Sequence, residues 1–190
     1  FSSRAIDRGI QGLMVGLCRM GIDGLSEKMT SVKNCSNTGF WVIVHEKSAN
    51  FYVYELTSSG LSVPVSYNIG TYLGASIGQL KASPNGDRLA YSDHAFSMIE
   101  LFDFDNSTGA ISNVITLPDT ASSKPYGLEF SPDGNVLYAS TINASGSGST
   151  YIMQFDLSSG LQTGILSSRL NLMTSGSDNV FGALQLASDG

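Results

Sequence analysis

The chain has 190 residues, of which 42% are hydrophobic and 14% charged, with a net charge of −6 and a pI near 4.7. That length holds one domain with a sizeable core. Ten Lys and Arg scattered singly make no basic stripe to neutralise phosphates, so nucleic acid is excluded as the expected partner.

No apolar run approaches the roughly 20 residues that span a bilayer, and the longest, Phe40 to Val44, is strand-sized. Twenty-one glycines amid plentiful Ser, Thr and Asn suit short strands joined by tight turns. Cys18 and Cys35 are too few for a disulfide-dense scaffold or a four-cysteine zinc site. Either they pair in an oxidising compartment or they stand as two buried or half-buried thiols.

The first element in chain order is Ala5-Ile6-Asp7, leading through Gly12 to Leu13-Met14-Val15. Val32-Lys33 then runs through Gly39 into Phe40-Trp41-Val42-Ile43-Val44, and Tyr52 to Leu56 turns at Ser58-Ser59-Gly60 into Leu61. Leu80-Lys81-Ala82 meets Ser83-Pro84-Asn85-Gly86 before Asp87 to Ser92, and Leu101 to Asp105 turns at Ser107-Thr108-Gly109 into Ala110-Ile111. Leu128-Glu129-Phe130 meets Ser131-Pro132-Asp133-Gly134 before Asn135 to Ser140, and Ile152 to Leu157 turns at Ser158-Ser159-Gly160 into Leu161. Leu184 to Gly190 opens a last copy.

Two series of turns are interleaved here. Glycines 39, 86, 134 and 190 lie 47, 48 and 56 residues apart, and glycines 12, 60, 109 and 160 lie 48, 49 and 51 apart. In the first series Pro fixes φ and Asn-Gly or Asp-Gly accepts positive φ, which closes a hairpin between first and second strands. The second series joins third and fourth strands. Four short strands every 48 residues or so are the mark of propeller blades. A helical solenoid would need a helical period that is absent, and a sandwich gives no reason for such even spacing.

The expected fold is therefore all-β: a partial β-propeller of about three to four four-stranded blades. Residues 1–28 are read as the outer hairpin of a preceding blade plus a crossover, 29–75 and 76–124 as blades, 125–181 as a blade with a longer insertion, and 182–190 as the first strand of another. A closed ring needs about four to eight blades. With no Met or signal-peptide pattern at Phe1 and a motif interrupted at Gly190, the chain reads as a fragment, and an open array would leave edge strands ready to pair.

Lys28 to Lys33, Phe40 to Glu46, Leu80 to Gly86, Leu101 to Asp105 and Leu128 to Gly134 resemble the propeller regions of secreted and cell-surface Bacteroidetes proteins of the type IX secretion and gliding-motility kind. The resemblance covers roughly residues 28–190. More loosely, the chain is similar to YVTN and lactonase-like propellers, which share the Ser-Pro-Asp-Gly turn. The resemblance implies an extracellular or cell-surface bacterial protein and carries no catalytic residue across.

Lys33, Lys81, Glu129 and Gln185 occupy equivalent first-strand positions in this alignment and are the candidate ligand-binding ring around the central channel. The competing reading, favoured over it, places them between blades, with Lys81 paired to Glu129. His45 and His94 fall two residues out of register and are read as surface or loop histidines. Asp103, Asp105, Asn106 and Ser107 crowd one turn without the EF-hand pattern and are read as turn caps. Asn34, Asn106 and Asn143 begin glycosylation sequons, which carry little weight in a bacterial chain. Strand aromatics such as Trp41, Tyr54 and Phe102 are assigned to packing between blades.

No nucleophile elbow, Walker loop or dinucleotide fingerprint occurs, and no catalytic residue, metal or cofactor is assigned. The favoured function is a non-enzymatic adhesion or scaffold module that binds protein or glycan. The alternative is a lactonase-like or other hydrolytic propeller with its site in the channel.

Overall fold

A computed structural model describes residues 25–71, 77–119, 124–142, 149–176 and 181–187. The first sheet comprises β1 (Leu25–Lys33), β2 (Phe40–Glu46), β3 (Asn50–Thr57), β4 (Gly60–Leu61) and β5 (Val65–Asn68). The second holds β6 (Leu80–Ala82), β7 (Arg88–Asp93), β8 (Met98–Asp105) and β9 (Ala110–Pro118). The third holds β10 (Lys124–Phe130), β11 (Val136–Ile142), β12 (Thr150–Asp156) and β13 (Leu170–Ser175), with a short helix α1 (Gln162–Ser167) before its last strand. The second and third sheets are antiparallel meanders in chain order, and the first follows the same order through β4, with β5 also paired to β3. The fold is a partial β-propeller.

The sheets stack face against face. Ile43, Phe51 and Val53 of the first share a core with Leu80, Leu89, Tyr91 and Phe102 of the second. Ala90, Ile99 and Leu101, on the second sheet's other face, join Leu128, Phe130, Leu137 and Met153 of the third. Coverage of the second sheet on both faces explains why Leu89, Ala90, Tyr91, Ser92 and Asp93 are buried in succession instead of alternating.

Inner strands have a free edge, and side chains from the preceding blade satisfy its N–H groups. Thr30 Oγ1 accepts from Ala82 N at 3.2 Å, Glu27 Oε1 from Gly78 N at 2.9 Å, and Gln79 Oε1 from Leu128 N at 2.6 Å. Glu129 Oε2 in turn accepts from Leu186 N at 3.0 Å. Residues 181–187 thus lie against β10, where Ser140 Oγ also donates to the Gly182 carbonyl. They form no assigned strand, and no ladder partner for them exists among the described residues.

The hydrogen bonds of the first turn series correct the sequence alignment. Ser83 N donates to the Arg88 carbonyl and Ser131 N to that of Val136, while the corresponding donor in the first sheet is Asn34, bonded to Gly39. Gly39 is therefore the equivalent of Arg88 and not of Gly86. The positive-φ position held by Gly86 (71°) and Gly134 (73°) is filled in the first sheet by Asn37 at 58°, a residue type that tolerates the left-handed region.

Two outer strands depart from the expected plan. In the first sheet the outermost strand is split into β4 and β5, both paired to β3. Across the gap Ser62 exchanges two bonds with Glu55 of β3, its N donating to the Glu55 carbonyl and its Oγ accepting from Glu55 N. In the third sheet Ser158-Ser159-Gly160 does not lead directly into a strand at Leu161. The chain turns into α1, which buries Ile165 beside Leu157 in the core while Leu161 stays 67% exposed, and β13 starts only at Leu170. The expected hairpin near residues 5–15, and with it Cys18, lies outside the described residues.

Candidate functional site

The strand order gives the blades two unlike ends. One carries the Ser-Pro-Asx-Gly hairpins and the third-to-fourth strand turns. The other carries the connections between blades, together with the β2–β3 and β7–β8 turns; this is the crossover end. A polar cluster between the first two blades sits at the crossover end.

Corrected by the turn register, His45 and His94 occupy the same blade position, each next after the residue equivalent to Asp93. The expected two-residue offset came from aligning Gly39 with Gly86. Neither is a surface histidine: they are 2% and 7% exposed. Strand alternation sends His45 toward the second sheet, where its ring meets Phe51 edge-on at 4.2 Å and lies 4.9 Å from Tyr91. Tyr91 and Asp93 alternate on the face of β7 toward the first sheet, whereas Ser92 turns to the third and donates to the Tyr126 carbonyl at 2.7 Å.

Lys28 completes the group. It lies in the bulge of β1 between the Leu25–Glu46 and Met29–Val44 pairs, and it is buried. Its Nζ donates to Tyr91 Oη at 2.9 Å and stands 4.2 Å from the centre of that ring. Tyr91 Oη donates weakly to Asp93 Oδ2 at 3.4 Å, while Asp93 Oδ1 accepts from Ala95 N and Phe96 N.

Burial dominates the electrostatics. It lowers Lys28 to about 8 against the opposing pull of Asp93 and Glu27. Burial, with Lys28 adding, lowers His45 to about 4. Burial, with Lys124 adding, lowers His94, and burial with Asp93 and Glu100 raises the Tyr91 phenol. Two imidazole nitrogens in this region, His45 Nδ1 and His94 Nε2, are buried without a hydrogen-bond partner among the described residues. Native interiors rarely tolerate such orphans.

The sequence-derived ring is divided by the structure. Lys81 Nζ lies 2.7 Å from Glu129 Oε2, joining neighbouring inner strands. Lys33 pairs with Phe40, the place that Ala82 takes opposite Leu89, so Val32 is the residue equivalent to Lys81. Lys33 and Gln185 are exposed. Asp105 is consumed by its own turn, accepting from Ser107 N, Ser107 Oγ and Thr108 Oγ1. Asn34 is likewise consumed: its Oδ1 accepts from Thr38 N, Gly39 N and Ser36 Oγ, and its Nδ2 donates to Glu55. Cys35 is an exposed free thiol, not the buried or half-buried one expected. Among the described residues no group of three or more His, Cys, Asp or Glu is arranged to hold a metal, and no helix is long and apolar enough to cross a membrane.

Sequence reasoning missed Lys28, Tyr91 and Asp93 as a group. Alternation along Leu89, Tyr91 and Asp93 marks one face of β7, which was a usable signal. Lys28 sits across a bulge that breaks the period of two, so its orientation had none.

No family model matches the chain, and no curated protein does. Solved structures are similar to it. A Lactobacillus plantarum protein matches at 19% identity over 83% of this chain and 42% of its own, with a TM-score of 0.55. A candidate 6-phosphogluconolactonase of Bacteroides fragilis matches at 12% identity over 80% and 41%, with a TM-score of 0.52. A chain of a nidogen/laminin complex matches at 16% identity over 79% and 48%, with a TM-score of 0.50. The chain spans less than half the length of each, and at these identities the likeness concerns the fold, which is compatible with unrelated functions.

Proposed function

We propose that this chain belongs to a non-enzymatic recognition propeller at the bacterial cell surface, with its ligand contacts on the crossover end around Lys28, His45, Tyr91, Asp93 and His94. The observation that carries this reading is the pair of buried histidines at equivalent blade positions, each with a ring nitrogen unpartnered among the described residues, beside a buried ammonium. Unfilled donor and acceptor capacity, gathered where blade connections can vary, suits a polar ligand. A glycan or a polar protein segment fits that chemistry. The surface location and the type IX secretion affinity rest on the sequence resemblance.

A glycan array and pull-downs with extracellular proteins test recognition, with wild type compared against Lys28→Met and His94→Leu. Recognition predicts a ligand retained by wild type and lost in both variants while their circular dichroism is unchanged. Equal retention by all three proteins would refute the assigned surface. Fractionation of the producing cells tests location, and a purely cytoplasmic protein would refute that part.

A second reading, hydrolysis, is favoured by one observation. An amine held near pKa 8 beside a phenol and a carboxylate is the kind of poised group that general-base chemistry uses. Turnover of simple esters or lactones that Lys28→Met abolishes would establish it in place of recognition.

A further inference from the structure

The structure points to a second site, at the opposite, hairpin end of the blades: a cavity of about 340 Å³ between the second and third sheets. We infer that it binds a hydrophobic α-amino acid as its zwitterion. It exists because both sheets depart from the regular blade. In the third, the chain makes α1 between the Ser158-Ser159-Gly160 turn and its fourth strand, β13, so that Leu157 and Ile165 form one wall. In the second, the β8–β9 register shifts between Leu101 and Asp103, and Asn113 takes a φ of 47°. That bulge opens the outer strand opposite α1.

The floor is apolar and built from core residues, with Leu101, Leu157 and Ile165 at 4%, 0% and 1% exposure. The rim is charged. Arg88 and Asp103 are direct cross-strand partners on one face of the β7–β8 ladder, a placement that ordinarily forms an ion pair. Here the ion pairs among the described residues are Lys81–Glu129 and Arg169–Asp119, and neither involves Arg88 or Asp103. Asp103 Oδ2 accepts from Asn113 Nδ2 at 2.6 Å, which holds the carboxylate on the rim, and among the described residues the Arg88 guanidinium has no hydrogen-bonded partner. The cavity therefore presents a fork of donors, a fixed carboxylate and an apolar floor. A ligand carboxylate matches Arg88 bidentately, an ammonium matches Asp103, and an apolar side chain fills the floor. The volume lies at the small end for ligand sites.

Calorimetric titration of the protein with L-phenylalanine and L-leucine tests this, alongside N-acetyl-L-phenylalanine, which lacks the ammonium, and L-phenylalaninamide, which lacks the carboxylate. Saturable binding of the amino acids is expected, with each blocked analogue weaker by about tenfold or more, because a site built for a polar group rejects the analogue lacking it. Arg88→Gln and Asp103→Asn should each reproduce the corresponding loss with unchanged circular dichroism. Val114→Trp, an exposed rim substitution that keeps both charges, should block binding by occlusion. The inference is overturned if neither amino acid saturates by about 10 mM, a Kd weaker than roughly 3 kcal/mol of binding. It is equally overturned if the analogues bind like the parent compounds, or if Val114→Trp binds normally.

Discussion

Lys28→Met should stabilise the protein at neutral pH. Lys28 protonates near 10.5 in the unfolded chain and near 8 in the fold. Below about pH 8, folding must carry an ammonium into surroundings that prefer the amine. The sign follows: the penalty is full below pH 8, declines as pH rises from 8 toward 10.5, and is gone above that. Its ceiling is about 3 kcal/mol, and solvent screening near the blade ends reduces it. Methionine keeps the stem's packing but forfeits the Tyr91 hydrogen bond and the ring contact, so a gain of about 2 kcal/mol is expected. For a chain of this length that raises Tm by about 4–8 °C.

Thermal melts of wild type and Lys28→Met at pH 7, 9 and 10.5 read this out: the variant's advantage should shrink across the series and give way to a small deficit near pH 10.5, where the penalty is nearly gone and the lost Tyr91 hydrogen bond remains. A variant that melts lower at pH 7, by an amount independent of pH, would refute the reasoning. It would mean that Asp93 and Glu27 fully compensate the ammonium and that Lys28 is a structural tie. A variant that is more stable yet has lost its ligand would instead mark Lys28 as a residue kept at a stability cost for function.

His45 gives the acid-side counterpart: its folded pKa near 4 means stability is full above about 6.5 and falls as pH drops toward 4, by up to about 3 kcal/mol. Denaturant titrations across that range should show the slope in wild type and a flatter one in His45→Phe, which keeps the ring contacts. Gly109→Ala should cost about 1–3 kcal/mol by urea melts, because its φ is +76° and the new Cβ would sit 2.8 Å from the Trp41 ring. Glu100→Ala should cost about 1–3 kcal/mol and speed amide exchange at Thr71, whose N and Oγ1 both bond that buried carboxylate. Glu129→Ala should speed exchange of the Leu186 amide in particular, since Glu129 Oε2 holds it.

The fold was legible because it rests on turn chemistry. Ser-Pro-Asx-Gly and Ser-Ser/Thr-Gly recur in near phase, and each maps to a positive-φ glycine at 60, 86, 109, 134 or 160. The first sheet misled because its hairpin meets the same backbone demand with Asn37. A search for glycine finds Gly39 two positions later and slides the strand's alignment by two. The slip put His45 out of phase with His94. At the first strand a separate one-residue error put Lys33 in the ring instead of Val32. The split outer strand of the first sheet and the helix of the third were illegible for another reason. They depend on Ser62 bridging to β3 and on Ile165 finding a place in the core, which are tertiary outcomes without local signature.

The site was harder to read than the fold because equal positions in a repeat do not face equal surroundings. On a blade covered on both faces, neighbouring residues along a strand serve different interfaces. Tyr91 and Asp93 belong with Lys28 and His45 of the sheet before, while Ser92 belongs with Tyr126 of the sheet after. His45 and His94 share a blade address, yet the first is held down by burial and Lys28, the second by burial and Lys124. Aligning repeats locates the address. Chemistry at that address is decided by which side chain the next blade brings to it, so a repeat protein can vary its sites one interface at a time while its turns stay fixed.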